Sequence, residues 1–354
     1  MGVGMILAGD IGGTKCNLAA FEQRGVTLQL LFQKRYSTRD FSSFEHLVNA
    51  FGREAVRQGT MEPTATFSAA GFGVAGTVLD GHLHAINLPW VLDAAGLAAQ
   101  LRLGLEDIVL MNDLVATACS IDKLPATDFL ALNQVESQPQ ASKALIAAGT
   151  GLGEAMLFWD GTRYHASPSE GGAADFAPRT EQEAQLLHFL KQRLPRVSCE
   201  EVFSGRGFRK VHEFLDPAIR HPSFEEGAAS DSAQEITQHA LAGTCDVCAN
   251  ALDLWVDAFG SEAGNLALRV LAYGGVYLAG GIALRILPKL QQGSFVRSFS
   301  DKAPLRSVLA RIPIFVILNE DAPLLGAAYE AFSVARARVD TPSRNNLFRV
   351  SSAV

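Results

Sequence analysis

The chain has no uninterrupted apolar run of the ~20 residues that a membrane-spanning helix requires, so nothing in it reads as a membrane segment. It has no excess of positive charge either. Thirty Lys and Arg stand against 37 Asp and Glu, a net charge of −7, and such a balance offers no footprint for nucleic acid or for an anionic membrane. Cysteine is sparse. The five at positions 16, 119, 199, 245 and 248 are odd in number and scattered, which suits reduced thiols better than a disulfide framework. Met1–Gly9 leads straight into the first strand pattern, leaving no room for a signal peptide. Ile6 stands where a myristoylation signal needs Ser or Thr. A cytoplasmic protein is the expectation. No G-x-x-x-x-G-K-[ST] occurs, and Gly149–Gly153 lacks the spacing of a dinucleotide fingerprint. P-loop NTPases and Rossmann dehydrogenases are set aside with it.

What is present is a hydrophobic fraction of 48% in 354 residues, enough for two domains with a large core. The first third alternates strands and helices: a strand over Thr27–Tyr36, an amphipathic helix over Phe41–Gln58, a buried strand over Thr66–Val74, a helix over Val91–Leu101 and a strand over Ile108–Met111. The rest is mostly helical, with Glu181–Gln192, Gly207–Phe214, Ala233–Phe259 and Glu262–Leu271 read as helices. Gly274–Gly280 and Pro313–Leu318 return to strand, and Pro323–Ala337 is the last helix before a polar tail. His221–Ser232, rich in small and acidic residues, reads as a surface loop. Cys245-Asp-Val-Cys248 has the spacing of two metal ligands, but it lies inside the Ala233–Phe259 helical pattern with no second Cys/His pair following at zinc spacing. Packing thiols are the expectation there.

Two segments carry the strongest chemical signal. Leu7–Ala20 reads L-A-G-D-I-G-G-T-K-C-N-L-A-A and Leu145–Leu157 reads L-I-A-A-G-T-G-L-G-E-A-M-L. Each is an apolar strand, a Gly/Thr turn and a second apolar strand, the pattern of a β-hairpin. Turns so rich in glycine let backbone N–H groups converge on an anion, Thr14 and Thr150 add hydroxyl donors, and Asp10 offers a carboxylate for a hydrated Mg²⁺. One such turn is as readily an ordinary hairpin; two suggest a polyphosphate held from two sides. Asn112-Asp113 closes a buried strand, where Asp113 either serves as general base for a substrate hydroxyl or caps the following helix. Glu170, followed by Gly171-Gly172, and Glu200, ahead of a helix, are carboxylates suited to vicinal hydroxyls, although either also reads as a solvated or capping residue. Gly280-Gly281 at a strand-to-helix junction could lie flat against an adenine or ribose.

The order of these pieces resembles the bacterial glucokinases of the sugar kinase–Hsp70–actin superfamily, over about Leu7 to Ala337. The motifs are Asp10–Lys15, G-V-A-G-T with Asn87-Leu-Pro-Trp90, Asn112-Asp113, Gly149–Gly153, E-G-G-x-x-D-F-A-P (Glu170–Pro178), V-S-x-E-x-V-x-S-G (Val197–Gly205), Gly264–Leu268, Gly274–Ile282 and Leu324–Ala328. The resemblance implies an α/β fold of two ribonuclease H-like, actin-like ATPase lobes with an interlobe cleft, residues 1–112 plus 325–354 in one and 113–324 in the other. It implies ATP-dependent phosphorylation of glucose at the 6-hydroxyl, with ATP and Mg²⁺ as cofactors, a homodimer, and no nucleic-acid or membrane partner. By position it makes Asp113 the catalytic base and Asn87, Asn112, Asp113, Glu170 and Glu200 the sugar ligands. Gly12, Gly13, Thr14, Lys15, Gly149, Thr150 and Gly151 become the phosphate cradles. Asp10 acts on Mg²⁺ through water, and Gly280 and Gly281 line the adenosine. One position departs: the family carries His three residues after the sugar-binding Glu, and this chain has Ala173. Another hexose or an amino sugar as substrate, or a non-catalytic sugar sensor, are the alternatives.

Overall fold

The computed structural model describes residues 4–79, 82–84, 88–225 and 231–340. The chain divides into two compact units, 1–123 with 323–354 and 124–322.

The first unit is built on a five-stranded sheet in the order β3-β2-β1-β4-β7. Its strands are β1 (Met5–Ile11), β2 (Lys15–Arg24), β3 (Thr27–Ser37), β4 (Phe67–Val74) and β7 (Ile108–Asn112). A separate antiparallel pair, β5 (Thr77–Leu79) and β6 (His82–His84), lies between β4 and β7 in the chain. β1, β2 and β3 pair antiparallel, while β1, β4 and β7 run parallel. Helices α1 (Phe44–Arg57), α2 (Ala94–Leu101) and α3 (Asp113–Ser120) come from this stretch, and α13 (Ala322–Asp340) returns to it from the end of the chain. Successive side chains of a strand face opposite ways, and both faces of β1 are buried. Leu7 and Ile11 join Phe44, Leu47, Phe51 and Phe72 on one face. Ile6 and Ala8 join Leu324, Ala328 and Phe332 on the other. A sheet covered on both sides explains the near-continuous apolar reading of β1 and β4. Asp113–Lys123, assigned to the second lobe on sequence, fall within the first unit, because Ala116 packs with Met111 of β7 and Ala327 of α13.

The second unit has a six-stranded sheet, β11-β10-β9-β12-β13-β8. The strands are β8 (Phe129–Ala131), β9 (Lys143–Ala148), β10 (Leu152–Trp159), β11 (Tyr164–Ser169), β12 (Val276–Ala279) and β13 (Ile314–Ile317). Helices α4 (Glu181–Lys191), α5 (Cys199–Val202), α6 (Gly205–Leu215), α7 (Ser232–Ala242), α8 (Asp246–Val270), α9 (Gly281–Arg285), α10 (Leu287–Leu290), α11 (Ser294–Ser300) and α12 (Arg306–Leu309) complete it. Its core centres on α8. Trp255 is fully buried, stacks on Phe208 at 4.5 Å between centroids and donates its indole N–H to the Val202 carbonyl at 2.9 Å.

Several sequence readings change. The helix expected over Ala233–Phe259 is two helices, broken where Gly243 adopts a left-handed φ of 65° to end α7. The break expected near Gly260 does not occur: α8 runs through it, and a Cβ there would collide with the Phe295 carbonyl, so the small residue admits α11 rather than ending a helix. Cys245 and Cys248 therefore sit at the start of α8, Cys245 as its N-cap and Cys248 in its first turn, rather than in the middle of one long helix. Within the stretch read as surface loop, His221, Ser223 and Phe224 are buried, the His221 ring packing at 5.3 Å from His212 and 5.4 Å from Phe224. The last helix continues to Asp340, beyond the expected Ala337. No described helix is long and apolar enough to cross a membrane.

The approach of α13 to the first sheet is set by glycine. A Cβ on Gly326 would strike the Ala116 carbonyl, and one on Gly71 the Ala327 carbonyl. Gly326→Ala is expected to destabilise the chain by about 1–3 kcal/mol, the usual cost of overpacking, read as a lowered thermal midpoint. An unchanged midpoint would show that α13 does not need this close approach.

Candidate active site

In the first unit the parallel strands deliver their carboxyl ends side by side. Ile11 is level with Val74, and Val74 with Asn112. Such ends are where open α/β sheets place ligands. The expected hairpin forms: Asp10 is the next-to-last residue of β1, and Gly12, Gly13 and Thr14 make the turn into β2, where Lys15 is exposed. The turn is locked from behind by Thr38, which sequence reasoning passed over. Its buried hydroxyl donates to the Gly12 carbonyl at 2.8 Å and its N–H to the Thr14 carbonyl at 3.0 Å. Gly12 N–H is spent on the Lys15 carbonyl at 2.9 Å, whereas those of Gly13 and Thr14 donate to no protein acceptor among the described residues.

Of the two jobs that the sequence left open for Asp113, the helix cap falls to its neighbour Asn112. The cap of α3 is Asn112, whose Oδ1 accepts from the N–H groups of Leu114 at 2.9 Å and Val115 at 3.3 Å, and whose Nδ2 donates to the Gly76 carbonyl at 2.8 Å. One amide hydrogen of Asn112 is left for a ligand by that count. Asp113 is the first helical residue. Burial lifts its carboxyl above the ordinary range, an effect opposed by the Leu114 N–H that donates to Oδ1 at 2.9 Å. Asn87 lies outside the described residues.

In the second unit the other hairpin joins β9 to β10 through Gly149-Thr150-Gly151, closed by Gly149 N–H on the Gly151 carbonyl at 2.8 Å. A cavity of about 310 Å³ opens beside it, lined by Gly149, Thr150, Gly205, Arg206, Arg285 and Gly281 among others. Two segments far apart in sequence, the Gly149–Gly151 turn and the Gly280-Gly281 junction, thus meet at one space, which Gly149, Thr150 and Gly281 line. Gly280 shapes the junction: its φ of 89° is left-handed, and a Cβ would lie 2.5 Å from the Ala148 carbonyl. No other residue type fits there. The wall residues that sequence reasoning missed are Arg206, Asp231, Ser232 and Arg285. Asp231 caps α7 through Ala233 N–H at 3.0 Å and lies 3.8 Å from the Arg285 guanidinium. The cap signal Asp231-Ser232 was legible; its neighbourhood was not.

Glu200 falls within α5 rather than ahead of a helix, and it reaches the Gly149–Gly151 turn. Its Oε2 accepts from Leu152 N–H at 3.2 Å, its Oε1 lies 3.3 Å from Arg206, and a Cβ on Gly151 would come within 2.6 Å of it. Glu170 is exposed at the end of β11, and the turn after it is held by Ala173 N–H on the Glu170 carbonyl at 2.9 Å. Ala173 is itself exposed, and its carbonyl accepts from Arg196.

A profile of the glucokinase family matches residues 7–333. A glucokinase of Nostoc sp. is 39% identical over 342 residues, covering 92% of this chain and 98% of its own. The crystal structure of a glucokinase from an Antarctic psychrotroph superposes with a TM-score of 0.80 at 26% identity, covering 93% of this chain and 99% of its own. The chain belongs to the glucokinase family. The fold likeness extends to a glucokinase of the ROK family from Streptomyces griseus, solved with glucose and AMPPNP, at a TM-score of 0.61 and 19% identity over 93% of this chain and 100% of that one. The two sheets with their flanking helices are the actin-like ATPase architecture of these sugar kinases.

Beneath the Glu170 turn of this glucokinase-family chain lies a carboxylate absent from the sequence reading. Glu154 on β10 is 1% exposed, and a Cβ on Gly171 would overlap it. Burial, then the nearby Glu262 charge, push its carboxyl up to about 7, against the pull of Arg269 at 3.5 Å. The folded chain therefore holds this proton where the unfolded chain has released it, and stability falls as pH rises from about 4.5 to about 7. Glu154→Gln is expected to leave stability at pH 5 little changed and to raise it at pH 8 by up to about 3 kcal/mol. Urea unfolding at the two pH values measures this. Equal effects at both would show that the carboxyl is already ionised at pH 5.

Proposed function

We propose that the chain transfers the γ-phosphoryl group of ATP to the 6-hydroxyl of glucose. The observation that carries the reading is the Asn112-Asp113 pair: the amide takes over the helix cap, leaving a half-buried carboxylate of raised proton affinity at the carboxyl end of a parallel strand. A base for a hydroxyl works best when its proton affinity is lifted toward the working pH. Asp113 accepts the 6-hydroxyl proton as the oxygen bonds to phosphorus. Asn112, through its remaining amide hydrogen, and Glu170 and Glu200, through their carboxylates, orient the sugar, and Asn87 joins them in this reading.

The turn Gly12–Thr14 with Lys15 and the turn Gly149–Gly151 hold phosphate oxygens with N–H groups and hydroxyls, while Gly280 and Gly281 face the adenosine. The cavity that brings Thr150, Gly281 and two arginines together supports that assignment. Mg²⁺ keeps most of its water and takes one or two carboxylates, which fits the single Asp10 at the end of β1; bound there, it supplies charge neutralisation. Phosphoryl transfer asks the protein mainly for in-line positioning and electrostatic stabilisation. A cytoplasmic homodimer completes the reading, as the family resemblance implies.

Asp113→Asn is expected to retain the fold and to lose ~10²–10⁴-fold in kcat, as removal of a general base does, measured by coupled ADP release with glucose. Because burial raises the carboxyl of Asp113, wild-type kcat should fall as pH drops through a value above the ordinary carboxylate range, and the asparagine variant should lack that limb. Retention of more than about a tenth of kcat would make Asp113 structural.

Ala173 favours a second reading, a kinase for another hexose or an amino sugar. Where the family's imidazole would donate to a hydroxyl, this chain offers a methyl group. A missing hydrogen bond of ~0.5–1.5 kcal/mol corresponds to roughly three- to tenfold weaker binding. Ala173→His should lower the glucose KM by that factor and sharpen preference over epimers, with kcat little changed. A sugar panel in which glucose KM stays the same or rises would favour the second reading.

A further inference from the structure

We infer that His212, His221, Cys245 and Cys248 form a closed tetrahedral site for a divalent cation of zinc's kind. Their ligand atoms all lie within 4.8 Å of one another. Cys248 Sγ is 3.1 Å from His221 Nε2, and Cys245 Sγ accepts from Cys248 N–H at 3.5 Å, so both sulfurs face the same point at the start of α8. His212 supplies the independent sign. Its ring is 0% exposed on α6, and neither Nδ1 nor Nε2 has a hydrogen-bond partner among the described residues. A buried imidazole with both nitrogens unsatisfied is costly, and coordination of one of them removes much of that cost.

The chemistry of the set is selective. Two cysteines at C-x₂-C spacing with two histidines make a Cys₂His₂ donor set, typical of structural zinc. Thiolates and imidazoles select such a metal over Mg²⁺, which prefers oxygen. With four protein ligands no coordination position is left for substrate, so the site is structural. A second cluster, His221 with Glu235 and His239, shares one ring with the first. Its other members are already engaged: Glu235 accepts from Ser223 N–H at 2.8 Å, and His239 Nδ1 is 2.7 Å from the Thr244 hydroxyl. The metal is therefore assigned to the cysteine pair.

Bound there, the ion would pin together α6, the turn at His221 and the first turn of α8. The same α6 begins at Gly205 and Arg206 on the cavity wall, a rise of about 9 Å along the helix from His212. The site shares no residue with the one proposed for Mg²⁺.

The test is metal content of the full chain, expressed in zinc-supplemented medium and purified without chelator. About one zinc per chain is expected by mass spectrometry. Cys248→Ser and His212→Gln should each lower it at least about tenfold, and Cys119→Ser should leave it unchanged. Since either ligand variant could misfold, the wild-type chain is also exchanged with Co²⁺. Tetrahedral d–d bands and a thiolate-to-cobalt charge-transfer band are then expected. A wild-type chain that takes up no zinc and gives only an octahedral cobalt spectrum overturns the proposal. So does a Cys245–Cys248 disulfide in the fresh protein, or zinc retained in the Cys248→Ser variant.

Discussion

The parallel pairing of β1, β4 and β7 is the constraint on which the first unit's chemistry rests. Its register sets Ile11, Val74 and Asn112 in one row, so the end of β1 with its turn and the Asn112-Asp113 corner share one edge. That register depends on close approach behind it. A Cβ on Gly73 would lie 2.8 Å from the Cβ of Ala116, on the helix that Asp113 begins. Gly71 and Gly73 let α13 and α3 come close to the sheet, and Gly326 lets those two helices meet nearly backbone to backbone. The carboxylate is thus held by packing, and its burial is what raises its proton affinity.

The second unit places its polar groups by another route. The hairpin of β9 and β10 is antiparallel, and β9 pairs in parallel with β12, which sets Ala147 level with Ala279. Consequently the turn after Ala148 and the glycines after Ala279 leave the sheet at the same edge and share a cavity. Glu200 reaches that turn from α5 and Glu154 underlies the Glu170 loop. Carboxylates in this unit therefore play unequal parts, some offered to solvent and one buried with its proton retained near neutrality.

Two titratable clusters of the second unit sit at junctions of elements. Arg269 bridges Glu154 on β10 and Glu262 on α8, tying a strand to the unit's longest helix. The histidine and cysteine group ties that helix's first turn to α6. Removing one partner from a buried set of this kind leaves the others unsatisfied, which costs more than the set gains when complete. Each cluster accordingly constrains where its elements sit.

Local sequence determined the hairpins, the strands of the first unit and the glycine-rich turns, because turn chemistry and apolar periodicity act over a few residues. It also determined the family, through motifs whose order survives without any knowledge of contacts. The end of α7 was misplaced because Gly243 and Gly260 look alike as letters: one ends a helix at positive φ, while the other makes room for α11. Tertiary structure alone decided that Asn112, not Asp113, caps α3, since that depends on which side chain reaches the Leu114 and Val115 N–H groups. It alone placed Arg206 and Arg285 on the same wall as Thr150. And it alone brought His212 and His221 to the two cysteines, because their meeting depends on how α6 packs against α8, a contact between segments that no local pattern in the chain encodes.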